Sequence, residues 1–197
     1  MSYRIEEKIL LSQSDGFILL DELNNKGFKK QYPERKISSI YFDNSNYKMF
    51  EDSEEGLLPR KKIRLRHYPQ SQSNNYSLEI KISSIEGRYK KSKVILNDEK
   101  DHYINNSYYD NLYGPVSPIC IVEYIREYYI KGSIRITFDK NIRYINYKNK
   151  VYFDETKSVI EIKANSNHDR DYINRLIPHP RKRFSKFSES LKNLNLC

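Results

Sequence analysis

The sequence has little of what several common protein classes are built from. Its 197 residues include no tryptophan, two cysteines and six glycines. Cys120 and Cys197 cannot form a disulfide framework, and their separation is not that of metal ligands. No apolar run approaches the ~18 residues that span a bilayer. There is also no glycine-rich phosphate loop and no Ser-His-Asp grouping.

Positive charge is what the chain has in excess. The formal net charge is +9, and 31% of the residues are charged. This balance favours a polyanionic partner, which could be nucleic acid, an anionic membrane or polyphosphate, although a well-solvated surface would carry the same charge. The start of the chain has charges at Arg4, Glu6 and Lys8, where a signal peptide is apolar. We therefore expect one cytoplasmic domain, residues 1–197.

A period of two dominates the hydrophobic pattern, as is typical of β strands. The predicted strands lie near residues 3–11, 36–43, 61–68, 76–83, 88–96, 118–130, 133–144 and 157–164. Helical patterns are fewer, at residues 15–26, 168–176 and 184–194, with a short turn after Asp43. We interpret residues 53–56, 70–75, 98–101 and 105–118 as loops or turns.

At least six of these strands place charged or polar side chains on one face and apolar side chains on the other, because successive side chains alternate. In the third strand, Arg64 and Arg66 lie opposite Ile63 and Leu65. The charged faces consist of Arg4, Glu6 and Lys8; Arg64 and Arg66; Glu79 and Lys81; Tyr124 and Arg126; Arg135, Thr137 and Asp139; and Glu161 and Lys163.

An antiparallel sheet with one wet face would show the same alternation. However, these faces favour arginine and lysine with isolated glutamates, and the helices are too few to cover a wide open sheet. We therefore predict a mainly β (α+β) fold, a closed antiparallel β barrel of about eight strands with a charged interior and a few helices outside. Such an interior is unstable when empty, which favours a polyanion and a metal ion inside it.

Eight short segments, in order along the chain, resemble the VTC (vacuolar transporter chaperone) domain, the polyphosphate polymerase family within the CYTH-like triphosphate tunnel superfamily. The segments are Arg4-Ile5-Glu6-Glu7-Lys8, Ser39-Ile40-Tyr41-Phe42-Asp43, Ile63-Arg64-Leu65-Arg66-His67-Tyr68, Leu78-Glu79-Ile80-Lys81, Pro118 with Tyr124-Ile125-Arg126, Arg135-Ile136-Thr137-Phe138-Asp139, Ile160-Glu161-Ile162-Lys163 and Ser185-Lys186-Phe187. The resemblance implies a tunnel that holds a nucleoside triphosphate and a growing phosphate chain.

The resemblance also implies a role for each matching residue. The implied catalytic residues are Arg64, Arg66, Lys81, Arg126, Arg135 and Lys186, and the implied substrate-binding residues are Lys8, Lys93, Tyr124 and Lys163. In the fifth strand either Lys91 or Lys93 fits the family position, and we take Lys93. Glu161 matches the metal-binding glutamate, so the implied cofactor is Mn²⁺ or Mg²⁺. Arginine suits phosphate because its planar fork donates two parallel hydrogen bonds.

One departure from the superfamily pattern bears on the reaction. Hydrolytic members resemble one another in a first-strand Glu-x-Glu-x-Lys motif, whose first position here is Arg4. Losing that acid favours a polymerase or a binding module over a triphosphatase. The function that we predict is that of a polymerase, a metal-dependent ATP–polyphosphate phosphotransferase that moves the terminal phosphate of ATP onto a growing chain. A triphosphatase on the same tunnel and a non-catalytic module that binds polyphosphate or RNA stay open.

The expected partners are ATP and polyphosphate rather than nucleic acid. Base stacking could explain the 18 tyrosines, but most of them alternate with polar residues as half-buried sheet positions do. The resemblance does not extend to the regulatory domain and membrane spans of eukaryotic VTC proteins. Carrying polymer across a membrane would therefore need a membrane or regulatory partner protein.

Overall fold

A computed structural model describes residues 4–71, 75–165 and 170–197, with the side chain of Arg4 outside the description. Within these ranges the fold is mainly antiparallel β, with ten strands and five helices. The strands are β1 (Arg4–Ser12), β2 (Lys29–Asp43), β3 (Arg60–His67), β4 (Tyr76–Ser84), β5 (Gly87–Ile95), β6 (Tyr108–Asp110), β7 (Gly114–Lys131), β8 (Ile134–Asn146), β9 (Tyr152–Asp154) and β10 (Lys157–Asn165). The helices are α1 (Gln13–Asn25), α2 (Lys48–Glu55), α3 (Asn97–Asn106), α4 (Arg170–Leu176) and α5 (Lys186–Asn193).

The strand order in the sheet is β1-β10-β8-β7-β2-β3-β4-β5, with β6 paired to β7 and β9 paired to β8. All eight predicted strands are present, and the mainly β class is confirmed. The closed barrel is not confirmed, because among the described residues the order ends at β1 on one side and at β5 on the other.

One predicted turn was wrong, and two predicted loops were wrong in part. The stretch 98–101 lies inside α3, residues 53–55 belong to α2, and the stretch 105–118 contains β6 and the start of β7. β2 also begins seven residues before the predicted position 36, in a polar segment that includes Pro33. Residues 72–74 of the predicted loop and the first residues of the predicted helix 168–176 lie outside the described residues.

The chain divides into two compact units, each made of three separate stretches. Unit 1 comprises Met1–Arg35, Tyr124–Ile142 and Asp154–Phe184, and unit 2 comprises Lys36–Glu123, Arg143–Phe153 and Ser185–Cys197. The interpretation of residues 1–197 as one domain stays a prediction.

The core of unit 1 lies between α1 and one face of β1, β10 and β8. Ile9, Ile136 and Ile160 pack there against Leu19 and other apolar residues of α1. Their burial follows directly from the alternation in each strand, since the charged residues between them point to the other face. Burial of these side chains is the main force that holds the helix to the sheet.

Gly16 sets how closely α1 approaches the sheet. A Cβ atom at this position would lie 2.7 Å from a ring carbon of Phe138 and 2.6 Å from the Ser158 hydroxyl oxygen. Both distances are shorter than real contacts of a Cβ atom. The helix therefore packs at its present depth only because position 16 lacks a side chain.

In unit 2 the apolar faces of β2, β3 and β4 are buried, with Phe42, Ile63 and Leu65 at most 1% exposed. The carboxylate of Asp43, at the end of β2, accepts hydrogen bonds from the backbone N–H groups of Met49 and Phe50 at 2.9 Å each. These N–H groups would otherwise be unsatisfied at the start of α2. Cys120 is fully buried.

Among the described residues, no helix is both long enough and apolar enough to cross a bilayer.

Candidate phosphate-binding faces of the two units

A cluster of charged side chains occupies one face of β3, β4 and β5 in unit 2. We call it the arginine cluster, and its members are Lys62, Arg64, Arg66, Glu79, Lys81 and Lys90. The register produces it: Arg64 pairs with Glu79 across β3 and β4, while Lys81 pairs with Lys90 across β4 and β5. Arg64, Arg66 and Glu79 are at most 8% exposed, which is incompatible with a wet sheet face.

Glu79 is the carboxylate around which the arginine cluster is arranged. It accepts hydrogen bonds from Arg64 Nε at 2.8 Å and from Lys90 Nζ at 2.6 Å, and Arg66 Nη1 lies 3.9 Å away. Burial alone would raise the pKa of Glu79, but the adjacent cations outweigh it and lower the pKa to about 2. Glu79 is therefore ionised at neutral pH.

The N-terminal end of α5 lies against the same cluster. Phe187 stacks on Tyr41 with 5.2 Å between ring centroids, and the Tyr41 hydroxyl accepts a hydrogen bond from Arg64 at 2.8 Å. Lys62 donates to the Ser185 hydroxyl at 2.7 Å. Lys186 lies between these two contact residues and is half-buried. Lys186 is thus the first residue of the helix that packs on the arginine cluster, and its catalytic role stays a prediction.

Three lysines form a row across the arginine cluster. Lys62 is directly opposite Lys81, and Lys81 is directly opposite Lys90. Like charges in directly opposite positions destabilise a sheet. Such a row is favourable when an anion lies over it.

Lys93 is not placed with this cluster. It pairs with Leu78, on the other face of the sheet from Glu79, and its ammonium lies 2.6 Å from a carboxylate oxygen of Glu99 in α3. Lys91 has the same orientation because it pairs with Ile80. Lys90 is the residue of β5 that contacts Glu79, and we replace Lys93 by Lys90 in the candidate site.

Unit 1 carries a second set of charged side chains on the face of β1, β10, β8 and β7 opposite its core. We call it the glutamate cluster, and its members are Glu6, Lys8, Arg126, Arg135, Asp139, Glu161 and Lys163. The register places Lys8 opposite Glu161 and Glu6 opposite Lys163. Glu161 is 7% exposed, so this face too is buried at its centre.

Arg126 is fixed by a two-pronged ion pair. Its Nε and Nη2 atoms donate to the two carboxylate oxygens of Asp139 at 2.5 and 2.7 Å. The guanidinium also lies over the Tyr124 ring, 5.2 Å from the centroid, and its Nη2 is 3.8 Å from Glu161. Asp139 therefore orients Arg126 towards Glu161.

Glu161 and its neighbours combine both signs of charge. Burial would raise the pKa of Glu161, but Lys163 at 2.9 Å, a hydrogen bond shared with Glu6, and the charges of Arg126 and Lys8 together hold it well below its usual range. Lys163 is itself directly opposite Arg135, another pair of like charges. Lys8 donates to the backbone oxygen of Phe184 at 2.8 Å.

The sequence matches the VTC domain over residues 4–113 and 111–195, nearly the whole chain. The chain belongs to the VTC domain family. No curated protein sequence matches it. The predicted resemblance is therefore confirmed at the level of the family.

Solved structures with the same fold are distant in sequence. A Hippeastrum adenylyl cyclase candidate, described as having a dominant triphosphatase activity, has a TM-score of 0.62 at 14% identity, covering 97% of this chain and 96% of that one. Adenylate cyclase candidates from Bacillus halodurans and Vibrio parahaemolyticus have TM-scores of 0.59 and 0.57 at 13% and 14% identity. They cover 98% and 96% of this chain and 90% and 98% of their own. At these identities the likeness shows that this chain shares their fold.

The divalent metal implied for the VTC domain can be tested against the residues of the glutamate cluster. Glu161 and Glu6 lie within hydrogen-bonding reach of each other, so two carboxyl groups converge. Thr137, directly opposite Glu161 on β8, has a buried hydroxyl oxygen with no hydrogen-bond partner. The described residues contain no group of three or more acidic, histidine or cysteine ligands. This set fits a Mg²⁺ or Mn²⁺ ion that takes most of its ligands from phosphate oxygens.

Some residues of these clusters were missed by sequence reasoning. Lys62 has the same parity as Arg64 in β3 and could have been found by extending the alternation one step. Glu79 was placed on the right face but was given no role. Lys90 could not be found, because β5 carries cations on both faces and only the register decides between them.

Proposed function

We propose that this VTC domain is a metal-dependent polyphosphate polymerase that transfers the terminal phosphate of ATP to a growing polyphosphate chain inside a closed, basic tunnel. The observation that carries the proposal is the set of like-charge pairs that lie directly opposite each other beside the buried charges of each cluster. Lys62, Lys81 and Lys90 face one another in unit 2, and Arg135 faces Lys163 in unit 1. A polyanion with closely spaced charges would neutralise such pairs.

The reaction needs no covalent help from the protein. A terminal oxygen of the chain attacks the γ-phosphorus of ATP, the bond between the β,γ-bridging oxygen and that phosphorus breaks, and ADP leaves with the electron pair. Arginine and lysine side chains position the phosphates and stabilise the charge that spreads over the transferred group. We assign this role to Arg64, Arg66, Lys81, Arg126, Arg135 and Lys186, with Lys8, Lys90, Tyr124 and Lys163 binding substrate.

The residues that would hold the metal are Glu161 and Glu6, with Thr137 beside them. A bound Mg²⁺ or Mn²⁺ supplies positive charge to the phosphate oxygens. Arg126 is oriented towards Glu161 and would bind a phosphate beside that carboxylate. Lys163 holds Glu161 ionised at neutral pH, the form in which a carboxylate binds a metal.

The test is to incubate the purified protein with ATP and Mn²⁺, separate the products by size and assay free phosphate. Long phosphate chains are expected. Free phosphate without polymer would mean a triphosphatase, and bound ATP or polyphosphate with neither product would mean a binding module.

Two variants locate the reaction. Arg64→Lys keeps the charge beside Glu79 but removes the planar fork, and Lys186→Ala removes the ammonium at α5. Each is expected to lower polymer synthesis by at least 100-fold while the circular dichroism spectrum is unchanged. A double variant with full activity would refute the assignment.

A further inference from the structure

An aromatic group that the phosphate chemistry does not use lies at the junction of β2 and β7 in unit 1. The rings of Tyr32 and Tyr128 meet edge to face, with 5.7 Å between centroids. The Arg35 guanidinium lies over both rings, 5.4 Å from the Tyr32 centroid and 5.6 Å from that of Tyr128. Tyr32 is 47% exposed and Tyr128 is half-buried, so part of this aromatic surface is open.

Tyr128 lies on the face of the glutamate cluster. Glu127 and Tyr129 share the opposite face, because the Tyr129 hydroxyl donates to Glu127 at 2.7 Å and Tyr129 belongs to the core beneath α1. Side chains alternate along a strand, so Arg126 and Tyr128 point together to the cluster side, about 7 Å apart along β7. Through Tyr128, the aromatic group therefore extends the glutamate cluster along β7.

The strand order gives the distance between Glu161 and the aromatic group. Glu161 is on β10, Thr137 on β8, Arg126 and Tyr128 on β7, and Tyr32 and Arg35 on β2, which are consecutive neighbours in the sheet. Three steps of roughly 5 Å each separate the first strand from the last. This distance is comparable with the reach of a nucleoside triphosphate from its terminal phosphate to its base. The buried hydroxyl of Thr137, which has no hydrogen-bond partner, is on β8, between the strand of Glu161 and the strands of the aromatic group.

We infer that Tyr32, Arg35 and Tyr128 form a stacking platform for the base of the nucleoside triphosphate donor, an inference that rests on the function proposed above. Exposed aromatic rings and an arginine plane bind any base through its π face, without reading its hydrogen-bonding edge. ATP and GTP are therefore expected to bind about equally well, while inorganic tripolyphosphate, which has no base, does not use the platform.

The experiment compares two ligands on matched variants by equilibrium binding. Tyr32→Ser is expected to weaken ATP binding about tenfold and to leave tripolyphosphate binding unchanged, while Tyr32→Phe, which keeps the ring, restores ATP binding. The control is Tyr152→Ser in unit 2, which removes a comparably exposed tyrosine that also lies beneath an arginine, Arg143 at 4.3 Å. This control is expected to change neither affinity.

Unchanged ATP binding in Tyr32→Ser, an equal loss for both ligands, or the same ATP loss in Tyr152→Ser would each overturn the inference. The polymerase proposal fails differently. A protein that loses ATP affinity selectively in Tyr32→Ser but makes no polymer has the platform without the activity. A protein that makes polymer with unchanged ATP affinity in the variant has the activity without the platform.

Discussion

Each charged cluster has a buried glutamate at its centre, yet the two surroundings differ. Glu79 in the arginine cluster is the only acidic residue among the cluster's members and is held by Arg64, Arg66 and Lys90. Glu161 in the glutamate cluster has two acidic neighbours, Glu6 and Asp139, and Asp139 already neutralises Arg126. The pKa of the central glutamate is therefore lowered in both clusters. The arginine cluster has the charges to hold an anion alone, whereas the glutamate cluster has the charges to hold an anion together with a cation.

The largest expected effect is a loss of stability when Glu79 of the arginine cluster is replaced. Replacing it in Glu79→Gln leaves Arg64 and Arg66 buried without their carboxylate, which should lower the free energy of unfolding by about 3–5 kcal/mol. Urea denaturation measures this loss. The control is Glu99→Gln, which removes the exposed partner of Lys93 and should cost less than about 1 kcal/mol. Equal losses in the two variants would contradict the structural role of Glu79.

The next effect is on catalysis, at Glu161. The variant Glu161→Gln is expected to lower polymer synthesis about 10²–10³-fold, because it removes the ionised carboxylate that we propose as a metal ligand. Mn²⁺ binding, followed by calorimetry, should weaken in parallel.

The control for Glu161 is Glu127, a buried glutamate of the same unit that is held by Lys30 and Lys140 on the opposite face. Glu127→Gln should lower stability but leave the Mn²⁺ affinity of the folded protein unchanged. If Mn²⁺ binds Glu161→Gln as tightly as the wild type, Glu161 is not the metal ligand.

The pH dependence of stability gives a third test. The pKa of Glu79 falls from its usual 4.5 in the unfolded chain to about 2 in the folded protein. A lowered folded pKa means that this contribution is complete above pH 4.5 and is lost as the pH falls towards 2. It amounts to roughly 3 kcal/mol. Acid titration of Glu79→Gln should show a correspondingly shallower loss of stability over this interval, and an unchanged slope would refute the assignment.

The smallest effect is expected from the lysine row. Lys81→Gln removes the central charge between Lys62 and Lys90 and should weaken polyphosphate binding about tenfold while leaving stability unchanged or slightly higher, since like charges are separated. Lys91→Gln on the adjacent strand, on the other face, is the matched control and should bind as the wild type does. Competition binding at constant salt measures both, and equal weakening would indicate a diffuse charge effect.

Alternation and the family motifs were sufficient to predict most of the fold and most of the two clusters. They placed all eight main strands and assigned Arg64, Arg66 and Glu161 to charged faces, because each of these strands has an unambiguous apolar face. They could not determine the register of β5, where lysines occur on both faces. They also missed α3, whose start has no side-chain cap and whose residues include none that is buried.

The beginning of β2 was missed for a related reason. Its first residues are exposed and include Pro33, so neither hydrophobic alternation nor strand propensity marks them. This polar segment contains Tyr32 and Arg35. Their place in the proposed stacking platform could therefore be recognised only from their contacts with Tyr128 in the structure. Sequence periodicity detects residues that are buried by folding, whereas this group is partly exposed.

The lysine row has a consequence for how a polymer would move. An arginine fork holds a phosphate in one orientation, whereas an ammonium on a flexible stem attracts charge from any direction. A chain that lies over Lys62, Lys81 and Lys90 can therefore advance by one phosphate while the strength of its electrostatic attachment hardly changes. In an enzyme that lengthens its own product, such a row would act as a sliding contact and would favour processive over distributive growth.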